Sequence, residues 1–431
     1  MSFPAFSLQR KLTKAVLSKT ATEATHESIM NFPELDIKDY DYHLPEENIA
    51  QFPPEQRGGS KILLAHRKPF SVSDFNELKN FIPNNSLLIF NETKVIPARL
   101  VFSKTTGARI EIFLLQPDGD ADYQLTLASK HTCQWTVLIG NAAKWKNGNL
   151  RIDFPLPDGT NSILTASRIA ADTVSFEWNN DLIFAEILDL LARVPLPPYI
   201  HRDTVDEDRD RYQTVFARNE GSVAAPTAGL HFTESQLQDL DRSGITQVAL
   251  TLHVGLGTFR PVKGNIADHE MHTEPLFISR QQLKILAENA GKPWVVVGTT
   301  TLRALESMYI FAEKNKSGIS ATHSTFTIHQ WDKWHAENSL SRSEAFNNLH
   351  QMAEKKGSGL SGNTSLFITK GRPVRTADYL ITNFHQPKST LLMLVDAFSS
   401  ENWQEAYDFA KTNQLRFLSY GDACLFKNKI L

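Results

Sequence analysis

The stretch "WVVVGTTTLRALESMYIFAEK", Trp294–Lys314, decides the fold. Four apolar residues with no polar alternation, Trp294–Val297, are too few for a helix and mark a strand buried on both faces. Gly298 ends the run. Three threonines then open a segment whose apolar residues recur at helical spacing. The same unit appears in "ITQVALTLHVG" (245–255), where Val248, Leu250, Leu252 and Val254 alternate with Ala249, Thr251 and His253. It appears again where "YLIT" (379–382) passes through "NFHQPKST" into "LLMLVDAF" (391–398). Buried strands alternating with helices predict an α/β domain with a mixed or parallel sheet and flanking helices.

Working towards the N-terminus, "SLLIF" (86–90) is one more short buried strand and runs into the turn "NETK". Residues 94–182 have a different texture. Short apolar–polar alternations, "ARIEIFLL" (108–115), "YQLTLAS" (123–129), "WTVLIG" (135–140), "LRIDF" (150–154) and "TVSFEW" (173–178), are separated by Gly, Asp and Asn. That spacing predicts a small antiparallel β-barrel. "DLIFAEILDLLARV" (181–194) is helical by period, and "PLPPYI" (195–200) stops it. The expected layout is a discontinuous α/β domain, residues 35–93 and 183–431, carrying an inserted β-barrel over 94–182. Residues 315–360 read as a helical excursion with loops at both ends.

The 431 residues, 41% hydrophobic and 22% charged, have the composition of an ordinary globular protein. A net charge of −3 excludes a uniformly basic nucleic-acid binder but leaves room for a local basic patch. Cys133 and Cys424 are too few for a disulfide framework or a cysteine metal site, and fit reduced thiols of a cytoplasmic protein. No apolar run approaches the roughly 18 residues of a membrane span. Residues 1–34 are expected to be an N-terminal extension without stable structure. Arg10, Lys11, Lys14 and Lys19 give it the composition of an organelle transit peptide, while patterned sequence begins only after Met30.

Ligands of open α/β sheets bind at the carboxyl ends of strands. The turns there are "NETK", "HVGLGTFRP" (253–261), "GTTT" (298–301) and "NFHQPKST" (383–390), rich in Asn, Thr, His and Gly. Helix starts at Thr299–Thr301 and Ser389–Thr390 offer free N–H groups to a phosphate or carboxylate. The uncharged run "GSVAAPTAGLHFT" (221–233) ends in a capping box, Thr233 with Gln236, before a helix that stops at Gly244. It reads as a close-packed loop whose small residues admit a ligand or a second backbone, with His231 as its titratable group. Familiar motifs fail. Arg260 stands where a dinucleotide loop begun at Gly255 needs glycine, no P-loop or nucleophile elbow exists, and "HEMH" (269–272) is one residue short of a zinc-binding H-E-x-x-H. No metal site is expected.

Taken in order, "YDYHLPEENIAQFP", "LLIFNETKVIPARL", "TGARIEIFLL", "PLPPYI", "RYQTVFA", "GSVAAPTAGLHFT", "LHVGLGTFRPV", "MHTE", "VGTTTLRALES", "LITNFHQPKSTLLMLVDAF" and "RFLSYGD" resemble the S-adenosylmethionine:tRNA ribosyltransferase-isomerase family of queuosine biosynthesis. The resemblance spans roughly residues 35–430. It implies a similar layout, an α/β domain with an inserted β-barrel. It also implies transfer of the ribosyl part of S-adenosylmethionine onto 7-aminomethyl-7-deazaguanine at the tRNA wobble position. Isomerisation to an epoxycyclopentanediol follows, with loss of adenine and methionine. S-adenosylmethionine is then a consumed co-substrate and no bound cofactor is implied. The partners are S-adenosylmethionine and tRNA, and a monomer in the cytoplasm is expected.

Such chemistry needs a base for the ribose 5′ proton beside the sulfonium, a proton donor for departing adenine, and deprotonation of the attacking amine. Candidates are His231, His253, His272 and His385, with Glu274 the carboxylate nearest the set. Thr227, Thr258, Thr299, Thr300 and Asn383 are candidates for ribose hydroxyls or the methionine end. Lys94, Arg99, Arg260, Arg303 and Lys388 are candidates for the methionine carboxylate or tRNA phosphates. Asn91, Gly229, Ser389 and Thr390, from the same turns, complete the substrate-binding set. The chain departs from the family pattern at Ser222, where Ala is usual, at "ITKGRPVRTAD" (368–378), at Gln386 for Leu and at Asp396 for Ser. Those departures leave open an enzyme that uses S-adenosylmethionine with another acceptor, or a non-catalytic RNA-binding scaffold.

Overall fold

The structure, a computed structural model, describes residues 35–430 other than 120, 122, 157, 256–261, 263, 317–324 and 333–338. The expected N-terminal extension therefore lies outside the described residues. Strands begin with β1 (Lys61–Leu64), β2 (Ser71–Asp74), β3 (Leu87–Asn91) and β4 (Thr93–Val95). One sheet holds β5 (Arg99–Ser103), β6 (Arg109–Pro117), β7 (Thr132–Gly140), β8 (Leu150–Pro155), β9 (Asn161–Arg168) and β10 (Thr173–Trp178). The chain continues through β11 (Asn219–Ser222), β12 (Thr246–Leu252), β13 (Glu274–Ile278) and β14 (Trp294–Val297). It ends with β15 (Thr325–Ile328), β16 (Leu360–Thr364), β17 (Tyr379–Asn383) and β18 (Ala423–Lys427).

The main sheet runs β15-β16-β13-β12-β3-β14-β17-β18-β1-β2. Its centre, β12-β3-β14-β17, is parallel, and antiparallel pairings begin at β13 on one side and β18 on the other. All four residues of β14 are buried, as a strand without alternation requires when both faces are covered. Helices Glu234–Arg242, Arg280–Glu288, Thr299–Lys314, Arg342–Lys356, Thr390–Phe398 and Trp403–Thr412 supply the cover. Thr233 with Gln236, Ser279 with Gln282 and Ser341 with Glu344 each form a capping box, closing N–H groups that the helix leaves unpaired. Gly244, at φ +80, follows the first of them.

The second sheet is antiparallel in the order β5-β6-β7-β10-β9-β8, and its edges β5 and β8 approach within 8 Å between Cα atoms, so it nearly closes into a barrel. Alternate residues such as Leu100, Phe102, Ile110, Ile112, Trp135, Val174 and Phe176 fill its interior. Helix Phe184–Leu191 adds Phe184, Ile187 and Leu188 to that same core, so packing against the barrel continues beyond residue 182. Residues 123–127, expected within a strand, form a helix instead. Tyr123 and Leu127 both pack on the barrel core while Leu125 is exposed, so the apolar residues meet the i, i+4 spacing of a helix, not an alternation. The 315–360 excursion holds helix Arg342–Lys356 together with β15, which its polar sequence did not suggest. Among the described residues no helix is long and apolar enough to cross a membrane.

Candidate active site

Because β12, β3, β14 and β17 run parallel, the turns after them emerge at one sheet edge. Three of those turns meet around a narrow cleft open to solvent. Val254 follows β12, Gly298–Thr300 follow β14, and Thr382–Gln386, Ser389 and Leu391 come from the end of β17 and the turn after it. Ala225–Ala228 of the uncharged run form a further wall, and Tyr199, Leu418 and Ser419 complete it.

Two helices point their N-termini here. Gly298 caps helix Thr299–Lys314 at φ +89, a conformation that favours glycine, and Ser389 caps Thr390–Phe398 by accepting from the Leu392 N–H at 3.2 Å. With no carboxylate among its lining residues, the cleft suits an anionic group.

The turn after β3 does not contribute. Asn91 staples β3 to β12: its Nδ2 donates to Leu252 O (2.8 Å), while its Oδ1 accepts from Leu252 N (3.1 Å) and Thr93 N (3.2 Å). Asn91 thus lies away from the cleft, with its amide bonded inside the fold.

The candidate histidines do not form one cluster. His385 lines the cleft, with Nε2 at 2.9 Å from Thr382 Oγ1, and burial pushes its pKa down to about 3. His231 lies behind the wall, between Ser60 Oγ (2.8 Å) and Asn383 Nδ2 (3.1 Å), and burial, aided by Arg416, holds it at about 3. His253 bonds Thr93 Oγ1 (2.8 Å), packs against Gly221 and stacks on Tyr123, and burial lowers it to about 4. His272 Nε2 meets Glu274 Oε1 at 2.7 Å beside Gly255. Glu274 in turn is ion-paired with Arg303, whose pKa burial lowers to about 10, leaving it charged.

Of the substrate-binding candidates, Thr227, Thr299, Thr300, Asn383 and Ser389 line the cleft. Thr390 is the first residue of its helix and is buried, with its neighbours Ser389 and Leu391 forming the lining instead. Gly229 is required by packing, because an added Cβ would sit 2.6 Å from Phe216 and 2.8 Å from Thr214. Lys94 pairs with Glu220 (2.7 Å), Arg99 with Glu111 (3.0 Å) and Lys388 with Asp41 (2.7 Å). None of these three cations, nor Arg303, lines the cleft. Thr258 and Arg260 lie outside the described residues. Among the cleft residues that sequence reasoning did not single out are Tyr199 and Ser419, whose hydroxyls meet at 2.6 Å. "PLPPYI" and "RFLSYGD" carried the signal, but neither residue is acidic or basic near neutrality. Among the described residues no group of three or more His, Cys, Asp or Glu could hold a metal ion.

Comparison with known proteins places this geometry. Residues 37–426 match the family model described as queuosine biosynthesis protein. The chain is 37% identical over 396 residues to the S-adenosylmethionine:tRNA ribosyltransferase-isomerase of Halothermothrix orenii, covering 90% of this chain and 99% of that one. It is also 37% identical over 398 residues, with the same coverage, to the protein of that name from Treponema denticola. The crystal structure of S-adenosylmethionine tRNA ribosyltransferase from Thermotoga maritima is similar at 26% identity and a TM-score of 0.42, covering 90% of this chain and 99% of that one. With nearly its whole length matched, the chain belongs to the queuosine biosynthesis protein family.

Proposed function

We propose that this protein is an S-adenosylmethionine:tRNA ribosyltransferase-isomerase. It moves the ribosyl part of S-adenosylmethionine onto 7-aminomethyl-7-deazaguanine at the tRNA wobble position and isomerises it to the epoxycyclopentanediol, releasing adenine and methionine. S-adenosylmethionine is consumed and no bound cofactor takes part. One observation carries the reading: a chain 37% identical to relatives of that name brings several of its family motifs to a cleft without carboxylates, at two helix N-termini.

In this reading the methionine carboxylate sits at the N–H groups of Thr299 and Thr300 and at the helix begun by Ser389. The small residues Ala225 and Ala228 let the nucleoside lie close to the main chain. His385, held neutral by burial, serves as a hydrogen-bonding wall of the cleft. His272, oriented by buried Glu274, is the residue assigned to proton transfer. A monomer acting in the cytoplasm belongs to the same reading, and sedimentation tests the first part of it.

The deciding experiment incubates the protein with S-adenosylmethionine and tRNA carrying the deazaguanine precursor, then analyses nucleosides and free bases. Adenine and the modified nucleoside should form in equal amounts. Adenine without modified tRNA would move the assignment to a different acceptor, and no adenine at all would end it. His272→Ala should slow turnover by about 10²–10⁴-fold, the usual loss for a general base, with the fold retained.

A further inference from the structure

The amide of Asn383 closes β17 in the cleft wall, with the residue 3% exposed. Its nitrogen lies 3.1 Å from Leu418 O and 3.1 Å from His231 Nε2. A carbonyl can only accept, so Leu418 fixes the nitrogen on that side and settles which way the amide is turned. His231 Nε2 must then be an acceptor as well. The ring proton therefore sits on Nδ1, which donates to Ser60 Oγ at 2.8 Å. Phe75 covers the ring at 5.1 Å between centroids, and burial keeps the imidazole neutral. Both amide N–H bonds are thus spent inside the protein. The oxygen, Asn383 Oδ1, is buried and has no protein partner. Buried acceptors are rarely left unmet, and this one belongs to a residue of the substrate cleft.

We propose that Asn383 Oδ1 is the acceptor that receives a hydrogen-bond donor from the nucleoside part of the substrate, a ribose hydroxyl or the adenine amine. His231 and Ser60 are the positioning unit that holds the amide in that sense. The assignment rests on the S-adenosylmethionine reading above. It moves His231 from the acid–base candidates to a residue that acts through Asn383. The result is a cleft that accepts at this point and cannot donate there, which discriminates against a nucleoside presenting a lone pair in the same position.

Calorimetric titration of the full-length protein with S-adenosylmethionine tests it. Asn383→Leu should raise Kd by about tenfold or more, the scale of a lost buried hydrogen bond. His231→Leu should weaken binding in the same direction. His231→Gln, whose side-chain oxygen can accept from the amide, should recover Kd to within about threefold and retain turnover with an unshifted pH profile. The 2′-deoxy, 3′-deoxy and N6,N6-dimethyl analogues separate the donors: the one lacking the relevant donor should bind wild type and Asn383→Leu equally.

Equal affinity of wild type and Asn383→Leu for S-adenosylmethionine would overturn the assignment. So would a roughly hundredfold loss of turnover in His231→Gln with Kd intact, which would make His231 the acid or base. Should Asn383→Leu fail to fold, the wild type decides, because undiminished binding of all three analogues also removes the proposal. Absence of any binding by wild type would instead remove the functional reading beneath it.

Discussion

Gly221 has φ +144, and an added Cβ would lie 2.8 Å from the His253 ring, so backbone and contact both demand glycine. Gly221→Ala should destabilise the fold by about 1–3 kcal/mol, read as a lower urea midpoint at unchanged slope. Next to it Ser222, in place of the usual alanine, donates to Ala224 O (2.7 Å) and accepts from Val254 N (2.9 Å), fastening the loop to the strand beside it. Asp396 similarly has a partner, the Tyr40 hydroxyl at 2.9 Å. Gln386 places an amide on the cleft wall. His231, His253 and His385 share another property: burial depresses each from 6.5, to about 3, 4 and 3. The unfolded chain therefore takes up protons below about pH 6.5 that the folded chain refuses. Stability is full above that pH and falls below it, by about 1.4 kcal/mol per pH unit for each group, down to the folded values. Urea melts at pH 7.5, 6 and 5 check the slope, and His253→Gln should remove one proton's share of it.

Helix Thr299–Lys314 is buried along nearly its whole length, so its one early cation needs a partner. Arg303 finds it in Glu274 of β13, which ties the helix to the sheet and orients His272. Glu274→Gln should cost about 3–5 kcal/mol by stranding a buried guanidinium, and adding Arg303→Met should recover most of it, as thermal melts of both variants would report. Elements of this kind were legible because their signals are local. An unbroken apolar run gave β14, alternation gave β12, and Thr233 with Gln236 gave a helix start. "YQLTLAS" was misread because five residues cannot separate a period of two from a spacing of four. The site was legible only as a set of turns. Asn91 and Asn383 both end strands in polar turns, yet one is consumed by Leu252 and the other faces His231. Partners more than 150 residues away make that difference, and no local pattern records them. The ion pairs of Lys94 and Lys388 were hidden for the same reason, since their counter-charges come from distant segments.

Across the whole molecule the cleft joins segments at 199, 225–228, 254, 298–300, 382–391 and 418–419. A ligand held there is bonded to several parts of the main sheet at once. S-adenosylmethionine at 100 times its Kd should therefore add about 2.7 kcal/mol to unfolding and raise Tm, and a flat melt across that titration would count against the site. The two sheets differ in how they are written. The barrel strands β5–β10 form one uninterrupted run of chain, while β18, near the C-terminus, stands between β17 and the N-terminal pair β1–β2. During synthesis from the N-terminus the barrel can close while the rest is still being made. The β1–β2 hairpin, made first, must wait with an open edge for residues 423–427 before it joins the main sheet. A nascent chain halted just short of those residues would hold a finished barrel and an orphaned hairpin, which makes the last strand the step that commits the molecule to its final form.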